Sequence, residues 1–219
     1  MGSLRFIVTA GPTREHLDPV RFLSNPSTGK MGFAVARAAR AAGHEVTLVA
    51  GPVALKTPRG VQRVDVVSAR DMLAAVRKAL ADSSNPTALV MTAAVADWRP
   101  AKCADRKLKK SQMQGTLHLV RNPDILKSLG RRTNGSLRIG FAAETGKPVQ
   151  EAARKCREKG LDLVVANDVT QPGSGFGVET NRVTFVFPDG RVEPLPLMSK
   201  IAVARRIVRL AEKLAGVRS

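Results

Sequence analysis

The sequence predicts an α/β fold: a doubly wound, mostly parallel sheet in three layers, extended by a C-terminal antiparallel hairpin. Three observations carry this expectation. Short apolar runs alternate with helical patterns along the chain. Those runs are near-continuous instead of alternating, as strands covered on both faces should be. The length of 219 residues, 43% hydrophobic and 25% charged, is ample for a buried core and ordinary for a globular chain. One domain over 1–219 is the simplest organisation.

The elements follow in order. Residues 4–9 (LRFIVT) form a strand that ends at a glycine turn. Residues 29–42 (GKMGFAVARAARAA) read as a helix, with Phe33, Ala36 and Arg40 at helical spacing and Gly43 as the stop. Residues 45–49 (EVTLV) and 62–67 are the next strands. A helix over 68–80 opens with a capping box of Ser68 and Asp71. Residues 88–92 (ALVMT), 138–142 (RIGFA) and 162–166 (DLVVA) are strands, the last two separated by a helix over 147–159. Two parts break this rhythm. Residues 93–115 are long, basic and poor in apolar side chains, and their distal part, about 99–115, reads as a flap; long loops in compact domains are often functional. Residues 183–196 (VTFVFPDGRVEPLP) read as a hairpin with Asp189-Gly190 at the turn, and a final helix covers 199–214.

Charge is the anomaly. Lys and Arg number 36 against 18 Asp and Glu, a formal net charge of +18. Residues 97–219 hold 24 of the basic and 12 of the acidic side chains, so the excess lies mostly in the second half. Such a balance implies anionic partners: nucleotides, phosphorylated metabolites, nucleic acid or a membrane surface. Other counts exclude chemistry. There is no Tyr, so no tyrosine acid. Two cysteines without a CxxC, and three scattered histidines, cannot build a zinc finger or ribbon, and a disulfide framework is not expected. Cys156 reads as a buried thiol in a helix and Cys103 as exposed in a polar loop. The N-terminal apolar run is a strand and not a signal peptide, and no run approaches the ~20 residues of a membrane helix. The expected location is the cytoplasm.

In open α/β sheets ligands bind beyond the carboxyl ends of the strands, so the loops there are where chemistry belongs. After the first strand comes SNPSTGKMG (24–32). It is not a Walker A loop, because Ser24 stands where a Gly is required and Met31 where Ser or Thr is required, nor is it a GxGxxG turn. Its small polar residues can hold a phosphate at a helix N-terminus, or Ser27 or Thr28 can simply cap that helix. After the fourth strand come AAVADWRP (93–100) and the cluster Arg106, Lys107, Lys109 and Lys110. That cluster fits an anion or a solvated basic loop, and Asp97 fits a metal, a ribose hydroxyl or a turn cap. Asn122 reads as the N-cap of a short helix. Lys155 and Lys159, four residues apart, share one helix face and can grip one polyphosphate or simply face solvent. Phe141, judged alone, is a core residue.

Taken together and in order, TAGPTRE (9–15), DPVRFLSNPSTGKMG (18–32), TAAVADWRP (92–100), KLKK (107–110), NPDIL (122–126), GFAAET (140–145) and ANDV (166–169) resemble phosphopantothenate–cysteine ligases of coenzyme A biosynthesis. The resemblance covers essentially the whole chain and favours the bacterial, CTP-dependent, Rossmann-like type. It implies ligation of 4′-phosphopantothenate to L-cysteine through an acyl-cytidylate, with release of pyrophosphate and then CMP. It implies Lys107 as the cation at the α-phosphate, and Asn25 and Arg21 as residues serving the acyl-nucleotide and the second half-reaction. It places Ala93, Ala94, Asp97, Lys107, Asn122, Pro123, Asp124, Ile125, Phe141, Lys155 and Lys159 at the nucleotide, with Phe141 on the cytosine side. It places Asn25, Ser27, Thr28, Gly29 and Lys30 at phosphopantothenate. Mg²⁺ is expected, with Asp97 as its ligand. The departures are mild: Trp98 stands where Tyr is frequent, and Pro26 and Thr28 stand where the loop often has Arg, His or Ser.

A homodimer is expected, with the C-terminal hairpin as a candidate contact, and a separate flavin-dependent decarboxylase is a candidate partner. Two other readings compete. A nicotinamide-dependent reductase fails on the missing GxGxxG and the missing Tyr. A nucleic-acid-binding protein is prompted only by charge, and with 4% aromatics its binding would be nonspecific. Neither a specific nucleic acid nor a membrane is an expected partner. The basic C-terminal helix (Lys200, Arg205, Arg206, Arg209, Lys213, Arg218) and the pair Arg131 and Arg132 have no role in this reading.

Overall fold

A computed structural model describes residues 3–82, 86–110, 115–130 and 135–217. In chain order the elements are β1 (Arg5–Ala10), β2 (Arg14–His16), β3 (Phe22–Ser24), α1 (Lys30–Ala41), β4 (Glu45–Ala50), β5 (Gln62–Asp65) and α2 (Ala69–Ala81). Then come β6 (Thr87–Met91), β7 (Trp98–Pro100), β8 (Leu119–Arg121), α3 (Ile125–Ser128), β9 (Leu137–Glu144), α4 (Pro148–Lys159) and β10 (Leu163–Asp168). The chain closes with β11 (Thr180–Asn181), β12 (Thr184–Val186), β13 (Val192–Pro194), β14 (Met198–Ser199) and α5 (Lys200–Leu214).

The main sheet runs β13-β12-β10-β9-β6-β1-β4-β5. The six strands from β10 to β5 are parallel, and β12 pairs antiparallel with both β10 and β13. Apolar side chains leave each parallel strand on both faces. From β1, Phe6, Val8 and Ala10 join the layer built with α1 and α5. Ile7, with Val49, Leu89 and Val164 of neighbouring strands, joins the opposite layer with α2, α3 and α4. Two buried faces per strand explain the unbroken apolar runs.

The regular elements expected from the pattern all form, with boundaries within two residues. The capping box is present: Asp71 N–H donates to Ser68 Oγ at 3.2 Å and Ser68 N–H donates to Asp71 Oδ2 at 2.9 Å. Cys156 is buried and Cys103 exposed. Three small pairings were not legible: β2 with β3, β7 with β8 at the base of the flap, and β11 with β14. Flap residues 111–114, the pair Arg131 and Arg132, and Arg218 lie outside the described residues.

What this order places at the site is a reversal of winding. From β1 the sheet grows one way through β4 to β5 and the other way through β6, β9 and β10. The loops after β1 and β6 therefore diverge from adjacent strands and open a crevice at their carboxyl ends.

Candidate active site

The two crevice loops are locked together by buried threonines. Thr9 and Thr13 are fully buried. Ala93 N–H donates to Thr9 Oγ1 at 3.2 Å, Ala96 N–H donates to Thr13 Oγ1 at 3.0 Å, and Thr92 Oγ1 donates to the Thr9 carbonyl at 2.6 Å. Asn25 belongs to this lock, its Nδ2 donating to the Ala94 carbonyl at 3.0 Å. Ala94 N–H donates to the Gly11 carbonyl at 2.9 Å. The threonine hydroxyls were missed in the sequence, although TAGPT carries both of them.

A cleft of about 470 Å³ lies beyond β6 and is lined by Ala93, Asp97, Trp98, Asn122, Phe141 and Lys159 among others, with Pro123, Asp124 and Ile125 in the same wall. Most of the sequence-selected nucleotide set thus shares one wall. Asn122 does not cap α3, contrary to expectation. Its Nδ2 donates to the Ala96 carbonyl at 2.8 Å and its N–H to the Asp97 carbonyl at 2.8 Å, so it ties β8 to the loop after β6. Asp124 takes the capping role, accepting from Lys127 N–H at 3.2 Å. Burial opposes ionisation of Asp124, but hydrogen bonds from Lys159 and from the Lys127 amide outweigh it and hold the carboxyl below its usual range.

The two α4 lysines are paired with carboxylates. Lys159 Nζ lies 2.9 Å from Asp124 Oδ2, and Lys155 Nζ lies 2.5 Å from Glu144 Oε1 at the end of β9. Lys159 lines the cleft and Lys155 does not. Ala94, Asn25 and Lys107 are also outside its lining, and Lys107 is exposed on the flap. Arg21 reaches the flap instead, its Nη2 donating to the Leu108 carbonyl at 2.8 Å.

A second, smaller cavity of about 60 Å³ is lined by Ser27, Thr28, Gly29 and Lys30 and meets the first at Phe141, which lines both. Neither Ser27 nor Thr28 caps α1. The N-cap is Gly29 at φ 78°, a left-handed conformation that glycine adopts without a Cβ clash, and no side chain caps it. The first-turn N–H groups of α1 therefore have no side-chain partner at this end of the helix. Thr28 Oγ1 donates to the Phe176 carbonyl at 2.8 Å, and Lys30 Nζ donates to the Gly177 carbonyl at 2.8 Å and pairs with Glu179 at 2.6 Å.

The same glycine-rich loop, 173–179, is held from beneath by Lys200, one of the residues the sequence left without a role. Lys200 is buried at the start of α5. Its Nζ donates to the carbonyls of Gly175, Phe176 and Val178 at 2.8, 3.1 and 2.6 Å. Burial, with the nearby Lys30 charge, pushes it down to about 8, and Glu179 partly offsets this.

Among the described residues no group of three or more His, Cys, Asp or Glu could hold a metal ion by itself. Asp97 in the cleft wall still suits Mg²⁺, which typically takes one or two carboxylates together with substrate phosphates. No described helix is long and apolar enough to cross a membrane.

A crevice at the reversal point of a Rossmann-like sheet, walled by lysines and helix N-termini, has the chemistry to receive phosphorylated ligands. The chain belongs to the family of the DNA/pantothenate metabolism flavoprotein C-terminal domain, whose model matches residues 1–214. It is 46% identical over 213 residues to the coenzyme A biosynthesis bifunctional protein CoaBC of Vibrio vulnificus, covering 96% of this chain and 52% of that protein. It is 48% identical over 204 residues to CoaBC of Bacillus subtilis, covering 93% of this chain and 50% of that protein. The chain thus spans about half the length of these curated relatives. The crystal structure of the C-terminal domain of CoaBC superposes with a TM-score of 0.82 at 41% identity, covering all of this chain and 98% of that one.

Proposed function

We propose that this chain is a phosphopantothenate–cysteine ligase of coenzyme A biosynthesis. The observation that carries this is the shared wall: the loops after β6 and β8, Phe141 of β9 and Lys159 of α4 bring eight of the sequence-selected nucleotide residues to one cleft, which meets at Phe141 the cavity lined by residues 27–30 at the uncapped start of α1. The match to CoaBC relatives over nearly the whole chain supports the same reading.

In the first half-reaction a carboxylate oxygen of 4′-phosphopantothenate attacks the α-phosphorus of CTP. A P–O bond forms, the α–β anhydride breaks and pyrophosphate leaves. In the second, the cysteine amine attacks the acyl carbon; the C–N bond forms, the C–O bond to CMP breaks and the amine gives up a proton. Residues 122–125, Phe141 and Ala93 hold the nucleotide. Lys155 and Lys159 exchange their carboxylate partners for phosphate oxygens. Lys107 supplies positive charge where negative charge develops on the α-phosphate, the place where a preplaced cation acts most strongly. The segment 27–30 and the free N–H groups of α1 take the phosphorylated acid. Arg21 and Asn25 serve the acyl-nucleotide, Asn25 through the Ala94 loop that it holds. Asp97 would hold Mg²⁺, which would draw charge from the phosphate oxygens.

The bifunctional relatives support a flavin-dependent decarboxylase as partner activity. A cytoplasmic location suits these substrates. A homodimer is supported by the apolar side chains exposed on the two-stranded ribbons β2–β3 and β7–β8: Val20, Phe22, Trp98, Leu119 and Val120. The C-terminal hairpin exposes one large apolar side chain, Val192, which favours the ribbons as the contact.

The test is pyrophosphate release with CTP, ATP, GTP and UTP side by side, each with the acid and cysteine. Release that is fastest with CTP and that Lys107→Gln reduces to a small residual rate is expected. No acid-dependent release with any nucleotide would overturn the ligase reading; normal release by Lys107→Gln would overturn the role of that lysine.

A further inference from the structure

Asp18 lies in the turn between β2 and β3 and is fully buried. Its Oδ1 accepts the N–H groups of Val20 and Arg21, each at 2.9 Å. Its Oδ2 accepts Nε and Nη2 of Arg21, at 3.0 and 2.5 Å. These bonds suffice to close the turn. Two more do not serve it. Asp18 Oδ2 also accepts the N–H of Leu108, 90 residues further on, at 3.2 Å, and Arg21 Nη2 donates to the carbonyl of that same Leu108 at 2.8 Å.

One ion pair therefore holds both backbone polar groups of a single flap residue. The peptide unit is planar and rigid. Fixing the Leu108 N–H fixes the plane that carries the Cα of Lys107, and fixing its C=O fixes the plane that carries the Cα of Lys109. The Ala104 N–H, donating to the Leu17 carbonyl at 2.9 Å, ties the flap to the same turn a few residues earlier. The Arg21 guanidinium, aided by the backbone amides and against the cost of burial, holds the Asp18 carboxyl well below the usual carboxylate range. The charge that closes this latch is thus present at neutral pH.

We propose that Asp18 is a positioning residue for the first half-reaction: with Arg21 it latches Leu108 and so sets where Lys107 stands relative to the nucleotide. The inference rests on the reading of Lys107 as the cation at the α-phosphate. It gives Arg21 a task that precedes any contact with the acyl-nucleotide.

The experiment is single-turnover pyrophosphate release with CTP and 4′-phosphopantothenate and no cysteine, which isolates the first step. Asp18→Asn keeps the shape of the side chain and removes its charge. Its rate should fall roughly 10- to 100-fold, the scale of a misplaced catalytic group, with the half-saturating CTP concentration little changed. The double variant Asp18→Asn/Lys107→Gln should be no slower than Lys107→Gln alone, because Asp18 acts through that lysine. If Asp18→Asn does not fold, Leu108→Pro removes the flap N–H with Asp18 and Arg21 in place, and the same fall is expected. A latch variant at the wild-type rate, with Lys107→Gln slow, would overturn the inference alone. So would a double variant slowed by the full product of the two single effects, the mark of a purely structural aspartate. Lys107→Gln at the wild-type rate would overturn the flap-lysine reading and the inference together.

Discussion

Gly32 packs helix α1 against the ends of β1 and β6, and Gly32→Ala probes the whole lock. A Cβ on Gly32 would stand 2.5 Å from Ala10 Cβ, 2.5 Å from Thr92 Oγ1 and 2.9 Å from the Thr9 carbonyl oxygen. None of these is the far end of a flexible side chain. Ala10 and Thr9 are backbone-fixed in β1, and Thr92 Oγ1 is committed to the Thr9 carbonyl at 2.6 Å. The helix must lift or the hydrogen bond must break. Overpacking a close contact costs about 1–3 kcal/mol. For a chain of this length each kcal/mol moves the melting temperature by about 2–4 °C, so the variant should melt roughly 2–12 °C lower. The functional effect should be larger. Thr9 Oγ1 and Thr92 position the Ala93 backbone at the cleft floor, and a shift of about 1 Å there can cost on the order of 10²-fold in rate. The assays are thermal unfolding and pyrophosphate release with CTP, the acid and cysteine. A variant that melts within about 1 °C of the parent and keeps its kcat/KM would refute the claim that this contact sets the cleft.

Two further predictions follow from buried groups. Lys200 sits near 8 in the fold against 10.5 when free, so between those values the unfolded chain binds more protons and this group's contribution to stability rises with pH; below pH 8 both states are charged and the penalty is fully present. The stability of the parent minus that of Lys200→Met, measured by urea unfolding from pH 7 to 10, should therefore be flat near pH 7 and then climb by up to ~1.4 kcal/mol per pH unit. A difference that falls with pH would mean that the three carbonyls hold the proton more tightly than water does. For the cysteines, burial pushes the Cys156 thiol up and its Sγ donates to the Leu161 carbonyl at 3.2 Å, whereas Cys103 is exposed. A disulfide-exchange reagent should titrate one thiol per chain quickly in the native protein and two in denaturant; two fast native thiols would contradict the packing of α4 on β10.

The sheet was legible because its strands are buried on both faces, which writes an unbroken apolar run such as FIV in β1. The three small pairings were not, because strands of two or three residues impose no period, and β8 is exposed along its whole length. Asn122 was misread for a different reason. Asparagine is a good N-cap through its side-chain oxygen, but here that oxygen accepts from Arg99 Nη1 at 3.2 Å while the Nδ2 and backbone N–H are turned to the Ala96 and Asp97 carbonyls, leaving the cap to Asp124. The nucleotide wall was legible through motif order, and little of it through residue type alone. Phe141 reads as core by type and is half-buried between two cavities in fact.

Lys200 shows what composition hides and what local physics reveals. Counted with Arg205, Arg206 and Arg209, it is one more charge on a basic helix, and those three are indeed exposed. Its position separates it from them. Ser199 caps α5, accepting from Ala202 N–H at 3.3 Å, so Lys200 is the first helical residue, at the positive end of the macrodipole, and no acid follows in the first turn. A cation there is unfavourable unless something holds it. Three carbonyls of the 173–179 loop do so, and that loop in turn receives Thr28 and Lys30 from the start of α1. A lysine in the place where a helix least wants one was therefore the sequence's own pointer to the second cavity. That pointer lies in helix polarity, which neither net charge nor motif spacing records.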